Sequence, residues 1–91
     1  MKRALKGNYP NPFNPETNIA FALPEAGNVS LNIYNITGQL VWSHSSWYGA
    51  GEHEITWHGK NTFGEDVASG IYFCQLNFGE KSATNKMVLL K

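Results

Sequence analysis

Apolar and polar side chains alternate along most of this chain, and that period of two constrains the fold more than any other feature. Successive side chains of a β-strand point to opposite faces, so the alternation predicts strands with one buried face. Three segments carry it most clearly, with inward positions at Ile19, Phe21, Leu23; Val29, Leu31, Ile33; and His53, Ile55, Trp57. Further strands are expected over residues 40–47, 71–76 and 82–90. No segment keeps helical spacing, so the sequence predicts an all-β fold, an Ig-like antiparallel β-sandwich of about six to seven strands.

Segments rich in glycine and proline separate the predicted strands. Residues 24–28, Pro-Glu-Ala-Gly-Asn, have turn chemistry, which predicts that the strands on either side form an antiparallel hairpin. Nearer the N-terminus, Pro10, Pro12 and Pro15 remove backbone donors, so an extended lead-in without a strand is expected before Thr17. Phe13 is expected to fold from this lead-in onto the edge of the sandwich and close one end of the core.

Composition excludes several classes of protein. The chain has 91 residues, a net charge of zero and only 15% charged residues. One domain is expected at this length, and no basic field exists that would bind nucleic acid. No apolar run approaches the roughly 20 residues that span a bilayer, so no membrane insertion is expected, and no signal peptide opens the chain. Cys74 is the only cysteine, which excludes an internal disulfide and predicts a buried, inert thiol.

Motifs for catalysis or metal binding are weak. Glu52, Glu54 and His58 are predicted to share one face of a strand, but their spacing is not that of a zinc site, and a solvated polar face is the favoured interpretation. Ser69 lacks the surrounding glycines of a nucleophile elbow, so it is expected to be a turn hydroxyl. The sequence therefore predicts no enzyme, no metal and no cofactor.

Aromatic residues permit two interpretations. Exposed together, the rings of Trp42, Trp47 and Tyr48 could stack on sugar faces, which leaves a carbohydrate-binding module open, although packing of the sandwich explains the same rings. Trp57 is assigned to the core by its parity. Tyr72-Phe73-Cys74 is similar to the Tyr-x-Cys of an immunoglobulin strand, which predicts a tyrosine corner in which the hydroxyl bonds to an upstream backbone group.

Five short motifs occur in a fixed order along the chain. They are Tyr-Pro-Asn-Pro-Phe-Asn-Pro-Glu-Thr at 9–17, Ile33-Tyr34-Asn35 with Gly38-Gln39, Gly51-Glu52-His53 with Trp57 and Gly59, Ser69-Gly70-Ile71-Tyr72-Phe73, and Lys86-Met87-Val88-Leu89. Together they resemble the C-terminal sorting domain of type IX secretion cargo. The pattern is also similar to the Ig-like domain of flagellar hook-capping proteins. One departure is His58, because the sorting family usually has Trp-Asp-Gly here, and this weakens any expectation of calcium in the following loop.

The resemblance implies a non-catalytic signal domain at the C-terminus of a larger exported protein. It implies that an outer-membrane translocon recognises the domain after passage through the periplasm, that a sorting peptidase acts on it, and that the cargo is secreted or attached to the surface of a Gram-negative bacterium. The expected partners are therefore the translocon, the sorting peptidase and the cargo domain upstream. A structural Ig-like module, either a spacer or a hook-cap element, is the alternative.

The same resemblance points to three segments as the partner-binding site. They are the lead-in, the Gly-x-Tyr strand and the terminal strand: Pro10, Asn11, Pro12, Gly70, Tyr72, Lys86, Met87, Val88, Leu89, Leu90 and Lys91. An edge strand with free backbone groups can be extended by a partner strand, with Met87 and Leu89 setting the register and the two lysines orienting it. An unpaired edge also permits dimerisation through edge strands.

The domain boundary is expected near residue 8. Residues 1–8 are interpreted as a linker or an artificial lead-in, and residues 9–91 as the Ig-like sorting domain. The Met1-Lys2-Arg3 start suggests a fragment of a larger protein. A sequence that stops at Lys91 favours the sorting interpretation over an internal module.

Overall fold

A computed structural model describes residues 5–90 and forms a two-sheet β-sandwich. Its seven strands are β1 (Leu5–Tyr9), β2 (Thr17–Leu23), β3 (Gly27–Asn35), β4 (Leu40–Tyr48), β5 (Gly51–Trp57), β6 (Gly70–Phe78) and β7 (Lys81–Leu89). One sheet has the order β1-β2-β5 and the other β4-β3-β6-β7, and every pairing of strands is antiparallel. The predicted all-β sandwich is confirmed. The described part of the chain contains no helix long and apolar enough to cross a membrane.

The core lies between the two sheets and is built from the alternating positions. Ile19 and Phe21 of β2 and Leu31 and Ile33 of β3 are fully buried, as the alternation predicts. Trp57 is buried on β5, which confirms its assignment to the core. Burial of these side chains is the main favourable contribution to folding, at about 1.5–3 kcal/mol for each large apolar residue.

The predicted hairpin between β2 and β3 is wrong. β2 pairs with β1 and β5, whereas β3 pairs with β4 and β6, so the chain crosses from one sheet to the other through residues 24–26. Both strands bury alternate residues in the same core. The proline and glycine between them can form a tight hairpin turn or a short connection from one sheet to the other. Local pattern alone did not distinguish these two connections.

A strand also forms where the sequence predicted only a lead-in. β1 pairs with β2 from Leu5 to Tyr9, with a bulge between Leu5 and Gly7, and the Leu5 side chain is buried. The expected boundary at residue 8 is therefore corrected, since residues 5–8 belong to the sandwich. A strand of five residues that contains a glycine and a bulge is too short to show the period of two. Met1-Lys2-Arg3 lies outside the described residues.

Candidate functional site at the C-terminal strand

The structure brings the three predicted segments together at one end of the sandwich. Gly70 lies opposite Leu89, and Tyr72 lies opposite Met87, in the antiparallel pairing of β6 with β7. Asn11 lies on the other side of β7, within hydrogen-bonding distance of its backbone. Lys91, the last predicted site residue, lies outside the described residues. The terminal strand is thus held between β6 and the proline-rich segment.

The outer edge of the terminal strand is covered by a clamp formed by residues 11–13. The Asn11 side chain donates from Nδ2 to the Lys86 carbonyl at 3.2 Å and accepts from the Val88 N–H at 3.0 Å. Phe13 continues the pairing, because its N–H donates to the Val88 carbonyl at 2.9 Å and its carbonyl accepts from the Leu90 N–H at 2.9 Å. Four outward backbone groups of residues 86–90 are therefore already bonded.

This clamp corrects the expected mode of recognition. Strand addition along residues 86–90 needs free N–H and C=O groups, and the clamp already occupies them. Met87 and Leu89 do not set the register of a partner strand in the folded domain, because both side chains are fully buried in the core. Side chains on the opposite face of β7 remain accessible: Lys86 is exposed, Val88 is half-buried, and Leu90, beyond the strand, is 53% exposed.

Proline chemistry explains why a side chain forms this part of the clamp. Pro10 and Pro12 have no N–H to donate, so the amide of Asn11 supplies both a donor and an acceptor in their place. The Pro10 carbonyl is fixed from the other side, where it accepts from the Thr17 hydroxyl at 2.8 Å and from Asn8 Nδ2 at 3.2 Å. The sequence signal for the clamp was an asparagine between two prolines, but its partner 75 residues away is not encoded locally.

Phe13 is the apolar anchor of the clamp. Its ring is 2% exposed and lies 5.6 Å from the Trp57 ring, which in turn lies 5.4 Å from the Tyr72 ring. The expectation that Phe13 closes one end of the core is confirmed. The Trp57 indole N–H donates to the Lys60 carbonyl at 2.9 Å, so the polar atom of this buried ring is satisfied.

Tyr72 forms the predicted tyrosine corner. Its hydroxyl donates to the Ala68 carbonyl at 2.6 Å, and burial raises the pKa of the phenol. The neutral hydroxyl thus pins the loop before β6 to the start of that strand. Tyr72 is 5% exposed, and its ring belongs to the core beside Trp57.

Gly59 marks a close approach between the loop after β5 and the lead-in. Its φ is +69°, and a Cβ at this position would lie 2.9 Å from the Pro15 carbonyl oxygen. Any other residue would be strained by both the backbone and this contact. Beside it, His58 Nδ1 lies 2.8 Å from a Glu16 carboxylate oxygen, so the histidine that replaces the usual aspartate contacts the lead-in.

The candidate metal ligands do not form a site. His58 contacts Glu16, while Glu52 pairs with Lys6 on β1. Among residues 5–90, no three histidine, cysteine or acidic side chains come together in an arrangement that would hold a metal ion. Cys74 is buried, as predicted, and burial raises the pKa of its thiol to about 12.

The three candidate sugar-stacking rings do not form one platform. Trp47 is 63% exposed, whereas Trp42 and Tyr48 are half-buried and lie on the opposite face of β4, against the core. Trp42 stacks on His44, with ring centroids 6.0 Å apart, and Tyr48 shares a 2.8 Å hydrogen bond with His44 Nε2. The alternation of β4 therefore separates the rings that the carbohydrate hypothesis needs together.

Comparison with protein families identifies one match. A family model described as "Secretion system C-terminal sorting domain" matches residues 8–90, which include both the clamp and the terminal strand. A search of curated protein sequences found no significant match.

Solved structures share the fold. The chain is similar to PorZ, a surface component of the type IX secretion system of Porphyromonas gingivalis, with 23% identity, a TM-score of 0.66 and coverage of 92% of this chain and 11% of that chain. Dimeric latent PorU from Porphyromonas gingivalis matches with 23% identity, a TM-score of 0.71 and coverage of 91% and 9%. FlgD from Xanthomonas campestris, a hook-capping protein, matches with 22% identity, a TM-score of 0.68 and coverage of 93% and 63%. This chain thus spans about a tenth of the length of the first two proteins.

Proposed function

The chain belongs to the family of secretion system C-terminal sorting domains, and from this premise we propose that it directs a larger exported protein through the outer-membrane type IX translocon. Membership places the domain in type IX secretion, with export to the cell surface or beyond in Gram-negative bacteria. The cargo is the larger polypeptide of which such a domain is part. Passage through the periplasm, removal by a sorting peptidase and attachment to the surface are further parts of the proposal.

The observation that carries the proposal is the clamp on the terminal strand. Asn11 and Phe13 bond to the outer edge of β7, and β6 bonds to its inner edge, so the three motif segments form one structural unit. We infer that the translocon binds this unit as a folded surface. Pro10, Asn11 and Pro12 then have different proposed roles. Asn11 holds the terminal strand, whereas the two prolines are exposed and accessible to a partner.

The accessible face of this unit is built from neighbouring strands. Lys86 lies opposite Phe73, and Val88 lies opposite Ile71, on the outer face of the four-stranded sheet. Leu90 continues the row with 53% of its surface exposed. A cation beside half-buried and exposed apolar side chains suits a partner surface with an acidic group next to an apolar patch. We propose that this face, called here the sorting face and defined by Ile71, Phe73, Lys86, Val88 and Leu90, is the part that the translocon contacts.

A secretion assay tests the proposal. The domain is fused to the C-terminus of a Sec-exported fluorescent protein in a bacterium with a type IX system, and surface and medium fractions are measured. Truncation after Asn85 is a poor probe by itself, because it also removes Met87 and Leu89 from the core. The sharper variant is Lys86→Glu with Leu90→Asp, which changes two exposed residues of the sorting face and is expected to trap the fusion in the cell.

The control is Lys81→Glu with Ser82→Asp, which makes the same change in net charge on exposed residues at the other end of β7. Export is expected to persist in this control. Protease resistance of each purified fusion shows whether the domain stays folded. Equal export of both double variants would contradict recognition through the sorting face, and retention of the unmodified fusion would contradict the sorting function in that host.

A structural module is the second candidate, because the fold also matches hook-capping FlgD proteins. A spacer needs a stable sandwich but no particular exposed end. Export that depends on the sorting face therefore favours the signal, and retention of the folded, unmodified fusion inside the cell favours the spacer.

A further inference from the structure

The four sheet edges of this sandwich differ in how they are protected against pairing with another chain. β7 is clamped over residues 86–90, and β1 is a five-residue strand with a bulge that lies against β7. β5 carries Glu52 and Glu54. Bulges, short strands, charges and covering segments are the devices by which proteins keep edges from pairing. β4 stands apart, because its nine residues, LVWSHSSWY, include no proline and no acidic or basic residue apart from His44.

The backbone of β4 is open over its central and final residues. The Val41 carbonyl points away from β3, since it accepts from the Thr62 N–H at 3.0 Å. Val41 sits at a bulge, so the direction of the later residues follows from β3 instead. Asn35 of β3 faces β4, because its N–H donates to the Gln39 carbonyl and its carbonyl accepts from the Gly38 N–H. Alternation along β3 turns Ile33, Leu31 and Val29 toward β4 as well. Their partners on β4 are Trp42, His44 and Ser46, which leaves the N–H and C=O groups of Ser43, Ser45 and Trp47 directed outward. In the part of the chain that the structure describes, β3 is the only strand that pairs with β4. The loop that holds Thr62 thus covers the start of the edge. The Trp47 carbonyl accepts only a long hydrogen bond of 3.5 Å from the Ser46 hydroxyl, and the other outward backbone groups of residues 43–47 are available among the described residues.

We propose that this edge pairs with β4 of a second copy of the chain, antiparallel about a two-fold axis through Ser45. The outward residues pair in this register, with Ser45 opposite Ser45 and Ser43 opposite Trp47 of the second copy. The two four-stranded sheets then join into one sheet of eight strands. Each outward pair can exchange two backbone hydrogen bonds, as in any antiparallel ladder.

The side chains of β4 are compatible with this register. On the core side, Trp42 lies opposite Tyr48 of the second copy, which is an aromatic pair of a kind that stabilises antiparallel strands. His44 lies opposite Ser46, so the two histidines are not paired with each other at any pH. No like charges meet along the strand, and the chain as a whole is neutral, so copies do not repel one another.

The same arrangement limits assembly to two copies. The far edge of the sheet is β7, where the clamp already bonds to residues 86–90. A two-fold pairing through β4 uses the open edge of both copies and leaves none for a third. The structure therefore favours a closed dimer over a fibre.

Sedimentation velocity of the 91-residue chain over a range of concentrations tests the proposal. A monomer–dimer equilibrium is expected, and Ser45→Lys is expected to weaken the dimer by about tenfold, because it places two like charges opposite each other at the axis. Ser82→Lys is the matched control, since it adds the same charge to an exposed serine of the far edge strand. Circular dichroism and the urea midpoint show whether each variant stays folded.

Disulfide trapping tests the register independently of any loss of folding. Paired outward residues have Cα atoms about 5.5 Å apart, within the range of a disulfide, so Ser45→Cys is expected to cross-link on mild oxidation. Ser82→Cys is expected not to cross-link, and native Cys74 is buried. A monomer at every concentration, a dimer unchanged by Ser45→Lys, or equal cross-linking at both positions would overturn the proposal.

Discussion

The two edges of the four-stranded sheet solve the same problem in opposite ways. At β7 the segment from Asn11 to Phe13 bonds to the outward backbone, although it lies about 75 residues away in sequence. At β4 the residues that the structure describes cover only the start of the strand, through Thr62. The sequence predicted a free edge at β7, yet this is the edge whose outward backbone groups are bonded. Whether an edge is free thus depends on which segment packs beside it, and not on the strand's own sequence.

This difference also separates two proposed activities. The proposed sorting face lies beside the covered edge, where the backbone is occupied and only side chains are accessible. The proposed pairing edge is β4, where the backbone itself is accessible. A partner that binds at β7 would recognise the type and charge of the accessible side chains. A partner that binds at β4 would mainly bond to the backbone of an extended strand, whatever its side chains.

Removal of the clamp anchor is expected to have the largest effect. Phe13→Ala deletes a ring that is 2% exposed and packs against Trp57, so a loss of about 3–5 kcal/mol in the free energy of unfolding is expected. Urea denaturation followed by tryptophan fluorescence measures it. A loss below about 1 kcal/mol would show that the lead-in is not part of the cooperative unit.

Loss of the clamp side chain is expected to cost less. Asn11→Ala removes the two hydrogen bonds to Lys86 and Val88 and is expected to lower the free energy of unfolding by about 1–2 kcal/mol. Hydrogen exchange sharpens the test, since the Val88 amide should become less protected while amides of β3 do not. Asn14→Ala, at an exposed asparagine of the same segment, is the control. Equal effects of the two variants would break the distinction between a covered and an open edge.

The open edge is expected to tolerate change in the monomer. Trp47→Ala removes a ring that is 63% exposed, so a change within about 0.5 kcal/mol is expected at protein concentrations where the chain is monomeric. The urea midpoint, compared with that of Phe13→Ala, measures the contrast between two aromatic residues at the two edges. A loss similar to that of Phe13→Ala would place Trp47 in the core.

The smallest expected effect is a pH dependence in the other sheet. The Lys6 ammonium beside Glu52 lowers the pKa of that carboxyl below its ordinary value of 4.5. A carboxyl pKa that is lower in the folded state stabilises the fold above the unfolded pKa, and this contribution disappears as the pH falls through the folded value. Glu52→Gln should therefore lie slightly below the parent in urea midpoint at pH 7 and match it in strong acid.

High salt provides the control for this pair. Both side chains are largely exposed, so 1 M salt should remove most of the difference at pH 7. A difference that grows as the pH falls would contradict the assignment of the lowered pKa to Lys6.

Local pattern was sufficient for most of the fold. Alternation located β2, β3 and β5 and assigned Phe21, Ile33 and Trp57 to the core, while the turn residues between apolar segments located β4, β6 and β7. These predictions succeeded because the period of two is set by the strand itself and by one buried face. The tyrosine corner was predicted from the likeness of Tyr72-Phe73-Cys74 to an immunoglobulin strand, and it too is local, since the Ala68 carbonyl that Tyr72 bonds is only four residues away.

Long-range pairing lay beyond that pattern. The crossover between β2 and β3, the short strand at Leu5–Tyr9 and the bonds from Asn11 to β7 all depend on which segment lies beside which. The residues of the candidate site were predicted by resemblance, and the structure places the described ones in one unit. Their division into buried residues such as Met87 and exposed ones such as Lys86 required the fold.

The clamp joins nearly the first and nearly the last residues of the domain. During synthesis Asn11 and Phe13 emerge long before Val88 and Leu90, so their bonds form only when translation has passed the whole sandwich. A copy cut short anywhere before Lys86 has no strand for the lead-in to hold and no cover for the Phe13 ring. A clamped strand β7 therefore forms only in a polypeptide that has been synthesised at least as far as Leu90.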